Sequence, residues 1–117
     1  MSNSFSKNVT LYSITDEGKM TWNLKIQDSG LSGSANYAPF DGEAVEFPEI
    51  GGVVQYQGGI YNGPFTIDVT SGMAVNGDAV SAALTVNDDW ASGEGGFLIE
   101  VRNGNPISAP YDTPISN

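Results

Sequence analysis

The sequence predicts an all-β fold, an antiparallel β-sandwich or a small barrel of about seven or eight strands. Apolar residues recur at every second position and never hold a helical period for long, which is typical of strands with one buried face. Glycine, Asn or Asp residues interrupt this pattern about every ten residues, as turns do in sandwiches and small barrels. A chain of 117 residues has the size of one domain.

The first three predicted strands form a meander. Residues 20–27 alternate apolar and polar side chains most regularly. Short turns separate them from strands at 8–15 and 31–37. Residues 39–52 are acidic and contain two prolines, so only residues 44–47 are expected to form a strand there, a short one at a sheet edge.

The second half of the chain predicts four further strands. Regular alternation resumes at residues 53–57 and 65–70. The pair Asn76-Gly77 then indicates a type I′ hairpin turn. The last two strands are expected at residues 79–86 and 97–101.

The segment 104–117 differs from the predicted all-β domain of residues 1–103, because it carries three prolines and no alternation. We expect an extended C-terminal arm that docks on its own domain or on a neighbouring subunit. Ile107, Tyr111 and Ile115 are evenly spaced, so they would share one face of an extended chain. They are the predicted contacts to a partner, with the prolines limiting main-chain pairing.

The composition argues against catalysis and nucleic-acid binding. The chain has no cysteine and no histidine, which excludes a thiol nucleophile, a Ser-His-Asp triad and an ordinary zinc site. Fourteen acidic residues against four basic ones give a net charge of −10, and the four basic residues are scattered singly, whereas phosphate binding needs clustered cations. A non-enzymatic protein is therefore predicted.

Targeting signals are not visible in the sequence. The N-terminus lacks the apolar stretch of a secretory signal, and no run of about 18 apolar residues could span a bilayer. The compartment stays open between the cytoplasm and export by another route.

Residues 87–96 form the densest polar stretch of the chain. Asn87, Asp88, Asp89 and Glu94 offer the oxygen ligands that calcium requires. The alternative is that the aspartates stabilise the turn by side-chain hydrogen bonds while Trp90 packs over the end of the core.

Three aromatic residues are candidates for carbohydrate binding. Trp90, Tyr56 and Tyr61 could stack on a sugar, because aromatic side chains combine a large apolar face with polar groups. The alternative is that they belong to the core, as most aromatic residues of an all-β domain do.

Two local resemblances accompany these patterns. Residues 84–88 and 97–101 resemble the final hairpin of calcium-dependent bacterial galactose-binding lectins, which implies an Asn-Asp turn that holds the ion. Residues 20–24, 31–33 and 88–93 are similar to short bacterial all-β domains of unknown function, which implies a compact β fold and no catalytic residues.

Two functions are therefore predicted. The first is a structural domain that associates with copies of itself, as a homo-oligomer or filament subunit, through its surface and the arm. The second is a calcium-assisted carbohydrate-binding module centred on Asp88, Asp89 and Trp90.

Overall fold

A computed structural model describes residues 4–117, and these residues form nine strands and no helix. The all-β prediction is confirmed. In this part of the chain there is accordingly no helix with the length and apolar character needed to cross a membrane. The strands are β1 (Ser6–Ile14), β2 (Gly18–Gln27), β3 (Gly30–Pro39), β4 (Val45–Tyr56), β5 (Phe65–Gly72), β6 (Ala79–Val86), β7 (Ser92–Glu100), β8 (Ile107–Ala109) and β9 (Pro114–Ser116).

The strands close into a barrel, so the sandwich alternative is not supported. β1 to β7 pair antiparallel in chain order, and β9 lies between β7 and β1 to complete an eight-stranded ring. β8 is an additional strand that pairs with β7 alone, on the same edge as β9. Closure leaves the eight ring strands with few unpaired edges, which protects the sheet from association with other strands.

The predicted extended arm is part of the barrel wall. Ser13 pairs with Ile115 on one side of β9, and Gly93 pairs with Ile115 on the other. The side chain of Ile115 is only 2% exposed and belongs to the core. The prolines are compatible with this pairing because Pro114 is the first residue of its strand.

Side chains fill the barrel interior. Alternate residues of every strand point inward, and the largest of them, Trp22, Tyr37 and Phe47, are almost completely buried. The indole nitrogen of Trp22 donates a hydrogen bond of 2.9 Å to Ser13 Oγ, so the polar atom of this core residue has a partner. A ligand must therefore bind at an end or on the wall of the barrel.

The prediction of a short edge strand at residues 44–47 is wrong. β4 has 12 residues and lies inside the sheet, between β3 and β5. Pro48 does not interrupt it, because the β3–β4 register shifts between Gly33 and Ala35, opposite Pro48. A bulge needs no ladder donor from the proline nitrogen, which is why this interior strand tolerates it.

The prediction of a type I′ turn at Asn76-Gly77 is also wrong. Gly77 has a φ of 95°, whereas Asn76 is not among the positive-φ residues of the described chain. The amide of Gly77 donates to the carbonyl of Ala74, and the amide of Ala74 donates to the carbonyl of Asp78. This is a longer loop in which glycine alone takes the left-handed position.

β7 begins at Ser92, five positions before the predicted start of the last strand. Gly93 and Gly95 pair with Val86 and Leu84 of β6. A Cβ at Gly95 would lie 2.6 Å from the carbonyl oxygen of Ala83, so glycine permits the close approach of these two strands.

Candidate functional site

Five aromatic side chains meet at one end of the barrel. This aromatic cluster consists of Phe5, Tyr56, Tyr61, Phe65 and Trp90. Phe5 precedes β1, Tyr56 ends β4 and Phe65 begins β5. Tyr61 lies in the β4–β5 connection and Trp90 in the β6–β7 turn, and alternating strand directions bring all these positions to the same end. The structure thus brings together the three residues predicted to bind carbohydrate.

Four of the rings form a nearly parallel stack. Tyr61 stacks on Phe5 with centroids 5.4 Å apart, and Phe5 is followed by Trp90 at 6.1 Å. Trp90 in turn lies on Phe65 at 3.7 Å. Phe65 is buried, whereas Phe5, Tyr61 and Trp90 are half-buried. The stack therefore runs from the core out to the surface.

Tyr56 packs against the stack edge-on. Its ring is close to perpendicular to the rings of Phe5, Tyr61 and Phe65, at centroid distances of 5.3–5.9 Å. Edge-to-face contacts of this kind each stabilise by about 1 kcal/mol beyond their buried area. These contacts stabilise the arrangement of the cluster.

Asp28, in the turn between β2 and β3, connects the polar atoms of the cluster. Its carboxylate oxygen Oδ1 accepts hydrogen bonds from the hydroxyl of Tyr61 at 2.9 Å and from the amide of Phe5 at 3.1 Å. Its carbonyl oxygen accepts a short hydrogen bond from the hydroxyl of Tyr56. The amide of Asp28 also donates to the carbonyl of Phe5, which fixes the start of β1.

Backbone strain is concentrated at the same place. Within residues 4–117, the non-glycine residues with positive φ are Asp28 (54°), Tyr61 (62°) and Trp90 (58°). For bulky residues such as tyrosine and tryptophan this conformation is uncommon and costs about 1 kcal/mol or more. All three belong to the cluster or contact it.

The pKa values of the two cluster tyrosines are raised above the ordinary tyrosine value near 10. For Tyr56 the main cause of the raised pKa is burial, followed by electrostatic repulsion from Tyr61, which is charged only once its own phenol has ionised, and from Asp28. For Tyr61 it is the hydrogen bond to Asp28, followed by burial and the Asp28 charge. Both side chains are therefore neutral phenols at neutral pH.

We predict a loss of stability in alkaline solution. The folded state holds these phenol protons more tightly than the unfolded chain does, so the contribution is fully present below about pH 10 and disappears as the pH rises through the folded-state pKa values. A titration of phenolate absorbance should show a late tyrosine step, which Asp28→Asn should move to lower pH. An unchanged curve in the variant would contradict the role given to Asp28.

The residues predicted to bind calcium lie in the turn beside the cluster. The Asp89 carboxylate accepts a hydrogen bond of 2.9 Å from the amide of Ala91, and the Asn87 side chain donates one of 3.0 Å to Ser92 Oγ. Asp88 lies against Gly63, and Glu94 is exposed on β7. In residues 4–117 no group of three or more acidic side chains is placed to hold a metal ion. Calcium binding at this turn stays a prediction.

The three residues predicted to contact a partner are separated by the fold. Ile115 is in the barrel core, so its side chain is not available to another molecule. Ile107 is half-buried on β8, and Tyr111 is 79% exposed. Self-association stays a prediction for Ile107, Tyr111 and the surface around them.

Sequence reasoning did not identify Phe5, Phe65 and Asp28 as members of this site. Phe65 was expected only as the first inward residue of a strand, Asp28 only as a turn residue, and Phe5 precedes the predicted first strand. The one signal available was the position of Asp28 and Tyr61 in turns at the same barrel end, which becomes informative only once the strand order is known.

Comparisons of this chain with known proteins identify no relative. No protein-family model matches the chain, and neither curated proteins nor solved structures give a significant match. The two local resemblances stay predictions, and the inferences about function rest on the geometry of the chain itself.

Proposed function

We propose that this protein is a non-enzymatic binding domain that takes a carbohydrate at the aromatic cluster. The observation that carries the proposal is that Tyr56, Tyr61 and Trp90 meet at one end of the barrel, although Tyr56 and Trp90 are 34 positions apart in the sequence. Two of the three, Tyr61 and Trp90, have a left-handed backbone conformation. A barrel end can be closed by apolar side chains on relaxed backbone, so strain retained at bulky aromatic residues favours a role beyond packing.

The chemistry of the cluster suits a sugar. A pyranose ring presents apolar C–H groups on its faces and hydroxyl groups at its rim, and a binding site needs both an aromatic surface and polar groups beside it. Tyr56, Tyr61 and Trp90 are all half-buried, so none of these residues is closed off from solvent as Phe65 is. The exposed residue Asp88 places its carboxylate against Gly63 beside the Phe65 ring, and exposed Asn62 precedes Gly63 in the chain.

The rings of the cluster differ in burial and are expected to have different roles. Phe65 is buried and covers one side of Trp90, so it supports the site without reaching a ligand. Tyr61 lies at the outer end of the stack, and its hydroxyl is oriented by the carboxylate of Asp28. Tyr61 is therefore the ring that we expect to contact the sugar, with Asp28 as its positioning residue.

Titration with simple sugars tests this proposal. Galactose, mannose and an N-acetylglucosamine oligomer would be added to the isotope-labelled protein, and the amide and indole NMR signals of the cluster would be followed. We expect one of them to shift the signals of Tyr61 and Trp90. Tyr61→Ala should then weaken binding about tenfold, as expected for the loss of one aromatic contact and its oriented hydroxyl.

Tyr111→Ala is the matched control, because it also removes a tyrosine side chain but at an exposed position outside the cluster. It should leave the sugar affinity unchanged. The proposal fails if none of the three sugars shifts the cluster signals, or if both tyrosine variants bind equally well.

A further inference from the structure

A groove opens in the barrel wall at the end opposite the aromatic cluster. It has a volume of about 330 Å³ and lies between the β1–β2 turn and the segment that joins β8 to β9. The groove exists because β9 pairs with only Tyr12 and Ser13 of β1, which leaves the last residue of β1 without a neighbour on that side. We infer that this groove binds an alkylammonium ion, an organic cation with an apolar tail.

The walls of the groove supply an apolar surface. Ile14 and Ile107 face the groove, together with Pro110 and Pro114. Ile14 is 57% exposed, although it is a strand residue with a large aliphatic side chain. Covering such a side chain with the alkyl part of a ligand would remove apolar area from water, which favours binding.

The rim of the groove is acidic. The exposed acidic residues Asp16, Glu17 and Asp112 line it, and none of its lining residues is basic. The nearest lysine in sequence, Lys19, lies 4.2 Å from the ring centroid of Tyr12, a residue that does not line the groove. The net charge of −10 reinforces the attraction for a cation.

The hydroxyl group of a buried tyrosine at the groove gives independent evidence for a ligand. Tyr37 is 1% exposed, yet it lines the groove. Its ring packs against Phe97, and among the described residues no hydrogen bond involves its hydroxyl. Every fully buried side-chain oxygen in this part of the chain has a hydrogen-bond partner. Because the Tyr37 hydroxyl has none, it is not fully buried, and the groove that Tyr37 lines is the open space next to it.

These features together select an organic cation over a metal ion. A metal ion needs several oxygens at short distance, and no three acidic side chains of the described chain are placed to hold one. An ammonium group has three N–H donors, and a protein oxygen, exposed carboxylates and water can share in accepting them at ordinary hydrogen-bond distances, so it does not need three carboxylates brought together. The Tyr37 hydroxyl can accept a hydrogen bond from the ammonium group while the alkyl tail lies along Ile14 and Ile107.

Pentylamine is the probe for this site. Its binding would be followed by the NMR shifts of the backbone amides of Thr15 and Ala109, with pentanol as the uncharged counterpart. We expect saturable shifts with pentylamine and none with pentanol. Tyr37→Phe keeps the ring and the packing against Phe97, and it should weaken pentylamine binding about tenfold because it removes a hydrogen bond to a charged group.

A pair of charge variants separates this site from general attraction to an acidic protein. Asp112→Asn should weaken binding about threefold, the size expected for an exposed carboxylate. Asp68→Asn makes the same change in net charge on β5, away from the groove, and should have no measurable effect. The inference is overturned if pentylamine does not bind, if Tyr37→Phe binds as well as the parent, or if the two aspartate variants weaken binding equally. The carbohydrate proposal concerns the other end of the barrel and is unaffected by any of these results.

Discussion

Removal of residues 110–117 should abolish cooperative unfolding, and Ile115→Ala should lower the free energy of unfolding by about 3 kcal/mol. β9 is the strand that joins β7 to β1, so its loss opens the barrel and exposes two strand edges. The alanine variant keeps the main-chain pairing and removes a side chain that is 2% exposed, which leaves a cavity in the core.

Urea unfolding followed by tryptophan fluorescence measures both effects. Ser116→Ala is the control, because Ser116 is exposed in the same strand, and its effect should stay within about 0.5 kcal/mol. A truncated chain that unfolds cooperatively at the parental midpoint would show that the C-terminal segment is an appendage, as an extended arm would be.

Gly52→Ala should destabilise the protein by about 3 kcal/mol. A Cβ at Gly52 would overlap the carbonyl oxygen of Asp68 on the neighbouring strand β5, and neither backbone can move without disturbing the ladder. The β4–β5 register shifts between Gly51 and Gly52, and such bulges give a barrel strand its bend.

Gly51→Ala is the matched control at the adjacent position. Its Cβ would lie 3.1 Å from Ser71 Oγ, a side-chain atom that can rotate away, so the loss should stay below about 1 kcal/mol. The midpoints of urea unfolding of the two variants provide the comparison. Equal losses for the two substitutions would contradict the close approach of β4 and β5 at Gly52.

Much of the fold was predictable because the signal was local. The alternation of residues 20–27 placed β2 and its buried side chains correctly, and the short turns on either side placed β1 and β3. The prediction failed where a tertiary contact allows a residue to occupy a strand that its type disfavours. Pro48 indicated an edge strand, but a bulge accommodates it in an interior strand. Gly93 indicated a loop, but it lies in β7 and allows this strand to approach β6 closely.

The candidate sites show the same difference between what the local sequence predicts and what the tertiary contacts decide. Trp90, Tyr56 and Tyr61 could be proposed together from their chemistry, but their contact with Phe5 and Phe65 depends on the strand order. Nothing in the sequence relates Tyr37 to residues 14–17 or to the C-terminal segment. Their meeting in one groove follows from the short β9, which leaves part of β1 uncovered.

The amino-acid sequence by itself determined that this chain is built from strands, that it contains no histidine or cysteine, and that it is strongly acidic. These properties depend on residue type and on periodicity over a few positions. Only the tertiary structure decided that the sheet closes as a barrel, that the tail is a wall strand, and which side chains meet at its two ends. The reason is that closure depends on pairings between residues about 100 positions apart, such as Ser13 with Ile115, and the local pattern of one strand does not specify its distant neighbour.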